Sequence, residues 1–181
     1  MPQRDKYEKL LDLTSQMSSD QQIEFIHKII TDIPLQTFFN ERDAQTIAPV
    51  VDLIQETLTY NIEANLFEEM LGLMAFKCED THNKSKASVQ TVTHQKKAKA
   101  ASYITDAVYS SLEFIYHEQQ EKSCPINIMH ILNNIELGYK WLNESASKPH
   151  KFLETSAETA LEILNCEKPL YVAEVVNFPN R

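Results

Sequence analysis

The chain has 181 residues, a net charge of −9 and 43% hydrophobic residues, which suits one domain able to bury a core without a cofactor or a disulfide. Only two glycines, Gly72 and Gly138, occur in it, so glycine-dependent hairpins and phosphate-cradling loops are nearly excluded and an all-α fold is expected. Cys78, Cys124 and Cys166 are odd in number and form no C-x-x-C pair. They read as reduced thiols of a cytoplasmic protein, with Cys124 or Cys166 as a small core residue.

Arg4 to Met17 places Tyr7, Leu10, Leu11, Thr14 and Met17 on one helical face. No signal-peptide core precedes it, and no segment approaches 18 uninterrupted apolar residues, so no membrane partner is expected. Ser19-Asp20-Gln21-Gln22 has the form of a capping box and predicts a second helix with a stripe of Ile23, Ile26, Ile29/Ile30 and Ile33, stopped by Pro34. A helical turn around Phe38 and Phe39 follows.

Asp43 or Thr46 can cap the next helix, with Pro49 in its first turn. One stripe runs through Val50/Val51, Ile54, Leu58 and Ile62, and another through Leu66, Phe67, Met70, Leu71 and Met74. The low helix propensity of Thr59-Tyr60-Asn61 predicts two helices within 46–77 rather than one. Residues 78–95 hold only Val89 and Val92 as large apolar residues and read as an exposed lysine-rich loop.

The stretch from Lys99 to Gln119, extended to about 97–119, has the strongest pattern. Asp106, Tyr109/Ser110, Glu113 and His117 form a narrow polar stripe, while Ala101, Ile104, Ala107, Val108, Leu112, Phe114, Ile115 and Tyr116 cover most of the remaining circumference. A helix apolar nearly all round must be wrapped by others. The expected architecture is therefore a single-domain bundle of about five to seven helices around this central one. A helix from about Asn127 buries Ile128, Ile131/Leu132, Ile135, Tyr139 and Leu142, with Gly138 allowing close approach. The last helix, with Pro149 in its first turn, buries Leu153, Ala157, Ala160/Leu161 and Leu164; residues 168–181 form a short tail.

The run Val51-Asp52-Leu53-Ile54-Gln55-Glu56-Thr57-Leu58-Thr59 and the later Tyr103-Ile104-Thr105-Asp106-Ala107, with Phe25 and Phe38-Phe39, resemble the YjaG-like family of uncharacterised bacterial helical proteins. The chain departs from that pattern in its lysine-rich Cys78–Lys99 segment and in ending soon after Pro169. The resemblance implies a cytosolic, all-helical bacterial protein and carries over no activity.

Candidate chemistry is sparse. Asp106 and Glu113, with His117, share the polar stripe of a mostly buried helix; in a cleft they would be acid/base or ligand groups, and on the helix edge merely a solvated face with Glu113 paired to His117. Glu79-Asp80-Thr81-His82 has one Glu-x-x-His spacing without a second copy, and His117, Cys124 and His130 match no standard zinc pattern, so no metal is expected. Lys84, Lys86, Lys96, Lys97 and Lys99 could meet phosphates, but without neighbouring arginines or aromatics they read as a solvated loop, and nucleic acid is disfavoured. Lys77 to Lys99 carries a net of +4, which leaves −13 on the remainder. A non-catalytic module that binds another protein through an acidic helical face is the leading expectation, and the wide apolar faces also allow homo-oligomers. The alternatives are a small-molecule or metal-dependent enzyme built on Asp106, Glu113 and His117, and weak nucleic-acid contact through the lysines.

Overall fold

The computed structural model describes residues 3–86, 92–120, 127–142 and 147–166. Among them are eight α-helices and no strand: α1 (Gln3–Ser15), α2 (Ser19–Thr31), the single turn α3 (Leu35–Phe38), α4 (Glu41–Glu56), α5 (Ala64–Lys86), α6 (Val92–Gln119), α7 (Ile128–Leu142) and α8 (Ser147–Asn165). The tail at 168–181, Cys124 and residues 87–91 lie outside the described residues.

Central placement of α6 follows from its composition. Ile104, Ala107, Val108, Leu112 and Ile115 are completely buried, and the small hydroxyls interspersed with them do not interrupt the packing. Thr105 Oγ1 donates to the Ala101 carbonyl at 2.7 Å and Ser111 Oγ to the Ala107 carbonyl at 2.7 Å, so polar atoms within the core are satisfied by the helix itself. Ser110, which the pattern placed on the polar stripe, is buried as well. Around α6 lie α5, α7, α4, α2 and α3, while α8 closes a further layer against α1, α2 and α7.

Gly138 lies where α7 crosses α6. A Cβ at that position would stand 2.5 Å from Ile104 Cδ1 and 2.8 Å from Ile104 Cγ1, so the missing side chain is what lets the two helices approach. Opposite it, α5 runs antiparallel to α6: Tyr116 Oη donates to Glu68 Oε1 at 3.0 Å near one end, and His82 meets Asp106 near the other.

Several boundaries differ from the sequence expectation. The capping box is one residue earlier, with Ser18 as N-cap: Ser18 Oγ accepts from the Gln21 amide at 3.3 Å, and Gln21 Oε1 accepts from the Ser18 amide at 3.0 Å. Asn40, not Asp43 or Thr46, caps α4 by accepting from the Asp43 amide at 2.8 Å, which puts Pro49 inside the helix. Gln45, whose carbonyl loses its i+4 donor there, is exposed, so water can hydrate it. The two-helix reading of 46–77 holds, with the break between Glu56 and Ala64.

The largest correction concerns the exposed loop expected at 78–95. Helix α5 continues to Lys86 and α6 begins at Val92. Counting large apolar residues missed this because the inner face of this part of α5 is held by polar contacts. Lys77, buried, pairs with Asp43 of α4; Thr81, also buried, donates to the Cys78 carbonyl at 3.0 Å; His82 reaches α6. Cys166, expected with Cys124 as a candidate small core residue, is exposed just past the end of α8. Cys78 is a free cysteine, not part of a disulfide.

Candidate functional site

Asp106, Tyr109, Glu113 and His117 do form one half-buried stripe, and it follows the seam between α6 and α5. The carboxylate of Asp106 accepts from His82 Nε2 at 3.0 and 3.1 Å. Since a carboxylate can only accept, the proton of His82 resides on Nε2. The Cys78 thiol, one helical turn before His82, also hydrogen-bonds Asp106. Burial first, and then the negative charge and hydrogen bond of Asp106, push that thiol well above its ordinary range, so it stays protonated and is a poor nucleophile.

Glu113 is engaged by the Tyr109 hydroxyl, which burial and then the Glu113 charge keep protonated above its usual range. His117 Nδ1 donates to the Glu113 backbone oxygen at 2.8 Å, so the i,i+4 contact runs through the main chain rather than the carboxylate. Asp106 and Glu113 are two turns apart, roughly 10 Å of helix rise. Each side chain therefore serves a local partner, and the three do not converge on a common point.

Neither the cleft where the end of α2 meets α3, α7 and α8 nor the one lined by Phe38, Asp43, Lys84 and Lys97 includes Asp106, Glu113 or His117. Among the described residues no three His, Cys, Asp or Glu side chains are grouped to hold a metal. Asp80, from the Glu-x-x-His segment, instead meets Lys84 at 3.1 Å and Lys77 at 3.5 Å, and the hydrogen bond from Lys84 holds its carboxyl below the usual range.

The lysines do not pool into one basic patch. Lys84 is paired to Asp80, and Lys99 Nζ lies 4.3 Å from the Trp141 ring centroid in a cation–π contact to α7. Lys84 and Lys97 line one cleft together with Asp43, the carboxylate that also receives Lys77.

What the sequence reading missed is the outward side of α5. Phe67 and Met74 face α6 and are fully buried, with Met70 and Leu71 half-buried beside them. Phe76 is 73% exposed, Leu73 43% and Leu66 36%. Phe76 and Leu73 are three residues apart and Leu66 two turns before Leu73, so the three share a flank of the helix turned away from Phe67 and Met74. Gly72 adjoins them with nothing within 4 Å of the position a Cβ would take. Exposed Glu69 stands within this row, and exposed Glu68 and Glu79 lie beside it beyond Phe76. The available signal was a remainder: Leu73 and Phe76 are large apolar residues that the Phe67–Met74 stripe does not accommodate.

No described helix is long and apolar enough to cross a membrane. Comparison of the chain with protein-family models, curated proteins and solved structures returns no match.

Proposed function

We propose that the protein is a non-catalytic binding module that engages a basic, amphipathic helical segment of another protein along the outward face of α5. The observation that carries this reading is the exposure of Phe76 and Leu73 in the middle of a long, well-packed helix. A phenylalanine open to water over most of its surface forgoes on the order of 2 kcal/mol of burial. Large exposed apolar side chains rimmed by charge are the usual composition of a contact surface.

Charge complementarity selects the partner. Glu69 stands in the strip with Glu68 and Glu79 beside it, and the chain as a whole carries −9, so a lysine-rich helix is attracted while a second acidic copy is repelled. Gly72 lets an incoming backbone or side chain approach the α5 axis beside Phe76. A partner helix would lay an i, i+3, i+7 apolar row along Leu66, Leu73 and Phe76, with its lysines facing the glutamate rim.

The test uses two labelled peptides with the same leucine stripe, one with lysine and one with glutamate at the polar positions, titrated against the full chain by fluorescence anisotropy. The lysine peptide binds, weakens with added salt, and loses at least tenfold in affinity to Phe76→Ser. Equal affinity for both peptides, or unchanged affinity in Phe76→Ser and Leu73→Ser, overturns the proposal. Concentration-dependent dimerisation that Phe76→Ser abolishes would instead assign the face to a second copy of the chain.

A further inference from the structure

We infer that a second site, on the opposite flank of the bundle from the outward face of α5, binds a small organic ammonium compound. A cleft of about 280 Å³ opens where the end of α2 meets α3, α7 and α8. Its volume lies just below the roughly 300–1,000 Å³ typical of small-molecule sites, which suits a compact ligand.

Three features of its wall favour positive charge. The first is aromatic: the rings of Tyr139 and Phe152, both lining the cleft, lie 5.6 Å apart at 31°, and Phe38 meets Tyr139 edge-on at 5.2 Å. Ring faces of this kind attract a cation through their quadrupoles, more strongly as water is displaced. The second is Asp32, which lines the same cleft and whose carboxylate has no hydrogen-bond or ion-pair partner among the described residues. The third is the end of α2 itself. Asp32 is its C-cap, so the carboxylate is added to the negative pole of a 13-residue helix.

Tyr139 connects these features. Burial, and then the nearby charge of Asp32, push its hydroxyl above the usual phenol range, so it stays a neutral phenol beside the Asp32 carboxylate. Ile29 supplies an aliphatic surface for the body of the ligand.

Among the described residues Lys151 is the one cation lining the cleft, and its ammonium group has no hydrogen-bond or ion-pair partner among them. It does not contribute to ammonium binding and opposes it, and that makes it an internal control. An ammonium ligand gains from removal of Lys151 and loses from removal of Asp32; an anionic ligand responds in the opposite sense to both.

The experiment is an NMR titration of the ¹⁵N-labelled full chain with benzyltrimethylammonium, benzyl alcohol and phenylacetate, which keep one ring and change only the charge. The inference requires saturable shifts of the Asp32, Thr37, Tyr139 and Thr155 amides with the ammonium, and at least tenfold weaker responses to the other two. Asp32→Asn, at an exposed cap position, should weaken the ammonium response at least tenfold, and Lys151→Gln should leave it equal or strengthen it. Preference for phenylacetate, an equal response to all three, no saturable response to the ammonium, or an unchanged response in Asp32→Asn each overturns the site. The peptide experiment on α5 reads a different face, so either proposal can fail without the other.

Discussion

Helices α5 and α6 are the two longest of the bundle, and each carries large apolar side chains on more than one flank, yet they meet different fates. In α6 the chain covers several flanks: Ile104, Val108, Leu112, Phe114 and Ile115 are buried by neighbours on more than one side. In α5 only the flank through Phe67 and Met74 is covered, and Phe76, Leu73 and Leu66 are left in water. The two glycines mark the same contrast from inside the helices. Gly138 opposes Ile104 at a distance no Cβ would tolerate, whereas Gly72 faces nothing. An apolar circumference thus has two meanings, a helix wrapped by its own chain or one that still has a surface to offer, and burial distinguishes them.

Substitution of a covered residue should break the bundle most. Leu112→Ala is expected to cost about 3 kcal/mol, from lost transfer energy plus the cavity left behind, and to lower the melting temperature by on the order of 10 °C. Differential scanning calorimetry measures it. A cost near zero would mean that α6 is not the centre of the fold.

The glycines sharpen the contrast because one chemical change should have opposite signs in the two helices. Gly138→Ala pushes a methyl group against Ile104 and should destabilise by about 1 kcal/mol net, even after the gain in helix propensity. Gly72→Ala should stabilise by up to about 1 kcal/mol, since the new methyl group meets nothing and alanine is the better helix former. Urea denaturation of the two variants side by side reads both signs, and like signs would contradict the contrast.

A smaller effect concerns the packing on the covered side of the molecule. Both ring nitrogens of His27 are buried without a hydrogen-bond partner among the described residues. Burial, and then the charge of Lys28, lower its pKa below 6.5, with Asp32 opposing. The unfolded chain therefore takes up the proton more readily than the folded one, and stability present above pH 6.5 should decline as pH falls below it. Stability measured between pH 7.5 and 5 should show that decline in the wild type and a shallower one in His27→Phe.

Where the sequence was legible, one physical cause dominated. The arrangement around α6 could be read because burial on several sides leaves a circumference with almost no polar residues, and Gly138 could be read because it shares a helical face with Ile131, Ile135 and Leu142. The helical span at 78–86 was not legible, because Lys77, Thr81 and His82 are polar residues whose partners Asp43 and Asp106 are distant in sequence. The same holds for the candidate groups. Asp106, Glu113 and His117 were rightly placed on one stripe, but that Cys78, His82 and Tyr109 would occupy Asp106 and Glu113 depends on how α5 docks on α6. Phe76 was missed because a stripe search assigns apolar residues to one face and discards the remainder.

Phe76→Ser is the most direct test of the account, read in one preparation by melting temperature and by affinity for the lysine-rich peptide. If the outward face of α5 is a surface kept for a partner, the melting temperature stays within about 1 °C of the wild type while affinity falls at least tenfold. A melting temperature that drops as far as that of Leu112→Ala would show that the chain itself covers Phe76, and an unchanged affinity would show that the face is not where the partner binds.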